Sequence, residues 1–164
     1  MLSIIVAKAK NNIIGKDNRL IWDIPDDKKR FKERTKNHIM IMGRKTFESM
    51  GEVLPDHTYI IFSQNPDFKI EKENVRIVHS MFEIQEFIES KEECFVIGGA
   101  MIYNLLMQYV NKMYVTEIDK DFEGDTFFQK INPEKWKEVS REEGPKTEGI
   151  HFDYDYVVYE RISK

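Results

Sequence analysis

The sequence predicts an α/β fold: a single domain over residues 1–164, with a central, mostly parallel sheet flanked by helices and an antiparallel edge strand. Three observations point there. Short β-branched apolar runs alternate with helical patterns along the body of the chain. The C-terminal part instead alternates apolar and polar residues in the manner of antiparallel strands. The length, 164 residues, suits one domain at ~150 residues each and is enough to bury a core without staples.

Ser3 to Ala9 reads as a buried first strand. Asn11 to Ile24 lacks periodicity, and so long a connection in a compact domain reads as a functional segment of the lid type. Pro25 suits the first position of a helix, with Asp26 and Asp27 in the first turn, where carboxylates complement the dipole. His38 to Met42 is a strand that runs through Gly43, Arg44 and Lys45 into a helix. Thr58 to Phe62 and Val75 to His79 are further strands. Ser80-Met81-Phe82-Glu83 reads as a capping box ahead of Ile84, Phe87 and Ile88 at helical spacing. Cys94 to Ile97 is a strand that turns through Gly98 and Gly99 into a helix from Ala100 to Tyr109. Lys112 to Ile118 and Phe152 to Ile162 form an antiparallel pair, with Glu143-Gly144-Pro145 as punctuation between them.

Composition excludes several classes. A net charge of −4 argues against a general nucleic-acid binder. No run approaches the ~18 apolar residues of a membrane span, and the N-terminus lacks the basic start of a signal peptide. The lone Cys94 excludes an intramolecular disulfide and a multi-cysteine zinc site, and fits a reducing compartment. His38, His57, His79 and His151 lack ligand spacing, so no metal is expected. A cytoplasmic protein follows as the expectation. Charge is nonetheless uneven. Lys28 to Thr46 holds eight basic residues against Glu33, and Glu117 to Asp125 holds five acids against Lys120.

Three segments could carry chemistry. On the helix from Pro25, Asp27 and Phe31 share a face with Ile24 nearby, while Asp26 and Arg30 pair on the neighbouring face. Asp27 is then either a dipole complement or a carboxylate beside an apolar strip, whose burial raises its hold on a proton. Met42 to Thr46, with Ser63, is either a plain glycine turn or an anion site at a helix start. Val96 to Ala100 is either a tight turn or a place where a pyrophosphate approaches bare backbone, although G-x-G-x-x-G is absent.

Taken together, I-I-G at 13–15, W-D-I-P-D-D at 22–27 with Phe31 and Thr35, M-G-R-K-T-F-E-S-M at 42–50, L-P at 54–55, V-I-G-G-A at 96–100 with Tyr103, T-E-I-D at 116–119 and E-G-D-T at 123–126 form a specific set. Over nearly the whole chain the sequence resembles the dihydrofolate reductase family. The resemblance implies an eight-stranded sheet, seven strands parallel and one antiparallel, and usually a monomer. It implies hydride transfer from NADPH to C6 of 7,8-dihydrofolate, with a proton added at N5. By position, it makes Asp27 the acid of the pterin pocket, Thr116 the residue that orients it, and Trp22 the holder of an ordered water. Ile5, Val6 and Ile97 would meet the pterin; Phe31, Met50 and Leu54 would line the aminobenzoyl channel. Ala7, Ile14, Gly15, Asn18 and Leu20 would close over the nicotinamide, with Leu20 at the lid tip and Asp125 as the latch. Arg44, Lys45, Ser63, Gln64 and His79 would surround the 2′-phosphate end. Gly43, Thr46, Gly98, Gly99, Ala100, Met101, Ile102 and Tyr103 would cradle the pyrophosphate.

Three positions depart from the family's pattern. Ile21 replaces a common Pro, and Lys28 replaces an apolar pocket residue. His57 stands where the family commonly places an Arg that clamps the glutamate tail of the substrate. An imidazole offers no bidentate clamp, so Lys28 and Lys32, four apart on one helix face, are expected to supply part of the missing charge. Alternatively, the natural substrate carries a different tail: another pterin, or a pyrimidine ribityl intermediate. A nucleotide-binding protein without catalysis is the third reading, and Asp27 argues against it.

Overall fold

The computed structural model describes residues 1–17 and 19–162. Its elements are β1 (Leu2–Ala9), β2 (Ile13–Gly15), α1 (Pro25–Thr35), β3 (Ile39–Gly43), α2 (Arg44–Met50), β4 (Thr58–Phe62), β5 (Val75–Val78), α3 (Met81–Glu89), β6 (Cys94–Gly98), α4 (Ala100–Leu106), β7 (Val110–Ile118), β8 (Thr126–Phe127), β9 (Trp136–Glu143) and β10 (Tyr154–Arg161). A 3₁₀ turn over Met107–Tyr109 ends the helix predicted to run unbroken to Tyr109.

Eight strands form one sheet in the order β5-β4-β3-β6-β1-β7-β10-β9. Pairing is parallel from β5 through β7, and antiparallel for β10 against both β7 and β9. The one reversed strand is therefore penultimate, with β9 outside it, which refines the expected antiparallel edge. In this register Tyr156 of β10 stands opposite Thr116 of β7 on one side and Glu142 of β9 on the other.

Alternation along the strands divides the core between the two faces. Ile41 and Ile60 join Val96, Ile84 and Leu106 on one side. Met40, Met42, Tyr59 and Ile61 pack on the other, against Phe31 and Phe47. A third cluster, with Trp22, Ile24, Ile118, Tyr154 and Tyr156, supports the segment between β1 and α1. That segment is anchored: β2 pairs with β8 in a separate two-stranded ladder.

Local signals act as the sequence implies, with one exception. α1 begins at Pro25, with acids in its first turn and Lys32 and Arg34 in its last. The capping box ahead of α3 forms differently. Ser80 is the N-cap, but its hydroxyl donates to Glu83 Oε1 at 3.5 Å and caps no backbone N–H, while the same Oε1 accepts the His79 N–H at 3.0 Å. The acid reaches one residue further back than the motif specifies, so the helix start is still satisfied.

Candidate active site

The carboxyl ends of the parallel strands open into one cleft of about 1880 Å³. Its walls include Ile5, Val6 and Ala7 of β1, Gly43 at the end of β3, Ser63 and Gln64 after β4, Ile97 of β6 with Gly99 just beyond it, and Thr116 of β7. Ligands in open α/β sheets bind at this end of the strands. A pocket for one small ligand is usually ~300–1,000 Å³, so this cleft has room for two.

Asp27 enters the cleft from the first turn of α1, half-buried, with Phe31 one turn further on. The Thr116 hydroxyl donates to Asp27 Oδ1 at 2.6 Å. Burial raises the Asp27 carboxyl above the usual carboxylate range; the Thr116 bond and the nearby Arg30 charge oppose this, and Asp26 adds to it. Asp27 therefore keeps a proton to higher pH than a free carboxyl does.

Two glycine turns face the other half of the cleft. Gly43 leads into α2 and Gly99 into α4; neither start has a side-chain cap, and neither helix has an acid in its first turn. Gly98, joined to Gly99 by a cis peptide bond, has φ +117, and a Cβ there would lie 3.2 Å from the Tyr103 hydroxyl. Only glycine accepts that backbone. The two turns are close: a Cβ on Gly99 would lie 3.6 Å from Thr46 Oγ1. Arg44 and Lys45 stand beside them, Arg44 paired with Glu48 at 3.1 Å. Uncapped backbone N–H groups, absent acids and two cations fit a phosphorylated dinucleotide such as NADPH.

Tyr103 braces this arrangement. Its hydroxyl donates to the Ile5 carbonyl at 2.7 Å, and burial pushes its pKa upward, so the donor stays protonated. Leu20, Ile14 and Gly15 overhang the cleft from the segment before α1. That segment is tied down at Asp125, whose carboxylate accepts the Asp17 N–H at 3.0 Å and the Thr126 hydroxyl at 2.7 Å. The Asp125 N–H donates to the Gly15 carbonyl at 3.1 Å. The Asp17 bond, then the Thr126 bond, hold the Asp125 carboxyl below its ordinary range.

Met50, Lys28, Lys32, Ala100, Met101 and Ile102 also line the cleft. Five expected residues do not. Trp22 is buried behind the lid, edge-on to Phe122. Gly98 is buried under the turn it shapes. Leu54 bonds to Tyr59 and Asn74, and His79 lies outside the wall with its Nδ1 on the Ser63 carbonyl at 2.8 Å. His57 turns inward: it is 4% exposed, with Nδ1 on Asp56 Oδ1 at 2.8 Å and Nε2 on Thr35 Oγ1 at 3.0 Å. That corrects its expected place beside a substrate, because a short ring with both nitrogens bonded inside the fold does not reach the cleft. Asn18 lies outside the described residues.

The charged residues of α1 find partners other than those expected. Lys28 pairs with Asp23 at 2.7 Å. Arg30 leaves Asp26 for Glu142, at 3.4 Å, and lies 3.8 Å over the Tyr156 ring. Tyr156, Tyr114 and Arg34 also line the cleft. Their only signal in the sequence was strand alternation or a basic helix face, which marks many non-site residues too.

Comparison with known proteins agrees with this geometry. A family model described as dihydrofolate reductase matches residues 1–161. Dihydrofolate reductase of Staphylococcus haemolyticus is 44% identical over 161 residues, spanning 98% of this chain and 96% of the relative. That of Bacillus subtilis is 42% identical over 161 residues, spanning 98% and 95%. A solved structure of dihydrofolate reductase from Enterococcus faecalis, complexed with NADP(H) and RAB-propyl, superposes with a TM-score of 0.89 at 36% identity, covering 99% of this chain and 97% of that one. With an eight-stranded sheet, an aspartate and two glycine turns sharing one cleft, and relatives that match from end to end, the chain belongs to the dihydrofolate reductase family.

Proposed function

We propose that the chain, acting as one domain over residues 1–164, reduces 7,8-dihydrofolate to 5,6,7,8-tetrahydrofolate, with Asp27 as the residue that favours protonation at N5. NADPH, when bound, supplies the hydride delivered to C6. The observation that carries the reading is Asp27 itself: a carboxyl with a strengthened hold on its proton, hydrogen-bonded to Thr116, in the cleft that also holds the glycine turns.

Asp27 hydrogen-bonds the pterin, and Thr116 fixes the orientation of that carboxyl. Backbone carbonyls of Ile5 and Ile97 meet the pterin edge, while Phe31 and Met50 enclose the aminobenzoyl group. Arg44, Lys45, Ser63 and Gln64 hold the 2′-phosphate; Thr46, Gly99, Ala100 and Met101 hold the pyrophosphate. Leu20, with Ile14, Gly15 and Ala7, excludes water from the reacting atoms. Lys28 and Lys32 attract the anionic tail from the rim. The proposed setting is the cytoplasm, as a monomer; Cys94 is buried and burial raises its thiol pKa, which suits a chain kept reduced. No helix among the described residues is long and apolar enough to cross a membrane.

The test is loss of the near-ultraviolet absorbance of NADPH on adding dihydrofolate. Asp27→Asn is expected to lower kcat at pH 7 by about 10²-fold or more. Full activity in that variant would refute the role given to Asp27.

A further inference from the structure

Thr116, Tyr156 and Glu142 lie side by side on β7, β10 and β9, and ladder partners share a face of the sheet. Each meets α1. The Thr116 hydroxyl donates to Asp27 Oδ1 at 2.6 Å, and the Tyr156 hydroxyl donates to Asp26 Oδ2 at 2.5 Å. Arg30 reaches Glu142 Oε2 at 3.4 Å and lies 3.8 Å over the Tyr156 ring. Only the Thr116 contact belongs to the chemistry described above. We propose that Asp26, Tyr156 and Arg30 are positioning residues for the reduction: they seat the first turn of α1 on the sheet and set the balance of charge around Asp27.

This rests on the reading that protonation at the Asp27 site governs the rate. Consecutive aspartates on a helix do not share a direction, and here each has its own hydroxyl donor from a neighbouring strand. Burial keeps Tyr156 protonated well above its ordinary range, so its hydroxyl remains a donor at working pH. The bond donated by Tyr156 fixes the direction of the Asp26 side chain, an acidic neighbour beside Asp27. Arg30 is the opposing positive charge one turn along, itself held by Glu142. Around them, burial keeps Tyr154 of β10 protonated, and Lys28 is exposed and paired with Asp23. Asp26 therefore favours the protonated form of Asp27, and Arg30 the ionised form.

Rate against pH, at saturating dihydrofolate and NADPH, tests this in Asp26→Asn, Arg30→Met and Tyr156→Phe. Asparagine keeps an oxygen for the Tyr156 hydroxyl and removes only the charge. In Asp26→Asn the fall in rate at high pH is expected to begin about half a pH unit lower; in Arg30→Met, about half a pH unit higher. Tyr156→Phe keeps the ring under Arg30 but loses the bond, and is expected to lower the low-pH kcat about threefold with the KM for NADPH unchanged. Shifts of Asp26→Asn and Arg30→Met in the same direction, or no shift in either, would overturn the proposal, because general loosening has no sign. Failure of the underlying reading looks different: the unmodified protein would show no high-pH fall, or Asp27→Asn would stay active, and both proposals would go.

Discussion

Asp27 carries a cost as well as a role. Its raised pKa means the folded chain retains a proton that the unfolded chain has already released. Stability from that group is full below the unfolded carboxyl value and is lost as pH rises through the folded one. At pH 7 the ionised form is therefore a burden on the fold. Asp27→Asn, which can still accept the Thr116 bond, is expected to raise Tm at pH 7 by a few degrees. Thermal melts at pH 5 and pH 7 check this: the gain should shrink at the lower pH, and a variant less stable at pH 7 would contradict the sign. At this scale Asp27 was legible because helical spacing is local. Thr116 entered through family resemblance alone. Tyr156 was hidden, because its partner Asp26 comes from an element distant in sequence and its alternation marks only a strand. His57 was legible as a departure but not as a buried bridge, since Thr35 approaches it only once α1 and β4 are packed.

Among elements, the lid shows both the reach and the limit of pattern. Missing periodicity marked Asn11 to Ile24 as a functional segment, but β2 has three residues and β8 two, too few to show a period. β9 has no apolar alternation to mark it, because only Trp136 along it is buried. The longer strands and α1 appeared within a residue or two of their positions, because burial on both faces and first-turn chemistry are written into short windows. The lid depends on a close approach: a Cβ on Gly124 would lie 2.6 Å from the Gly15 carbonyl. Gly124→Ala is expected to part β2 from β8. Proteolysis between residues 11 and 24 should speed up several-fold and the KM for NADPH should rise, with Tm changed by less than about 3 °C. Unchanged proteolysis would show that the latch is not what holds the lid. Because Asp125 is held below its ordinary range, its contribution is present at neutral pH and is lost only as pH falls through that lowered value, so lid anchoring should not vary with pH near 7.

Over the whole molecule, charge separates two functions that the net value of −4 conceals. The basic run from Lys28 to Lys45 borders the cleft, so anionic ligands meet an attractive rim on a chain that is acidic overall. With His57 turned inward, the rim lysines are exposed, and their attraction is screened by salt over ~8–10 Å. The KM for dihydrofolate is expected to rise several-fold between 50 and 500 mM salt, and much less in a Lys28→Leu, Lys32→Ala double variant. Equal salt dependence in both proteins would remove the lysines from that role. β9, at the end of the sheet, uses charge differently. Lys137, Glu138, Arg141, Glu142 and Glu143 crowd it, and Arg141 is tied to Glu138, Glu117 and Asp155 at 2.6, 3.0 and 2.8 Å. A second molecule adding a strand there would have to strip water from this cluster and gain little apolar area. The cost of that desolvation disfavours edge-to-edge pairing at this end of the sheet.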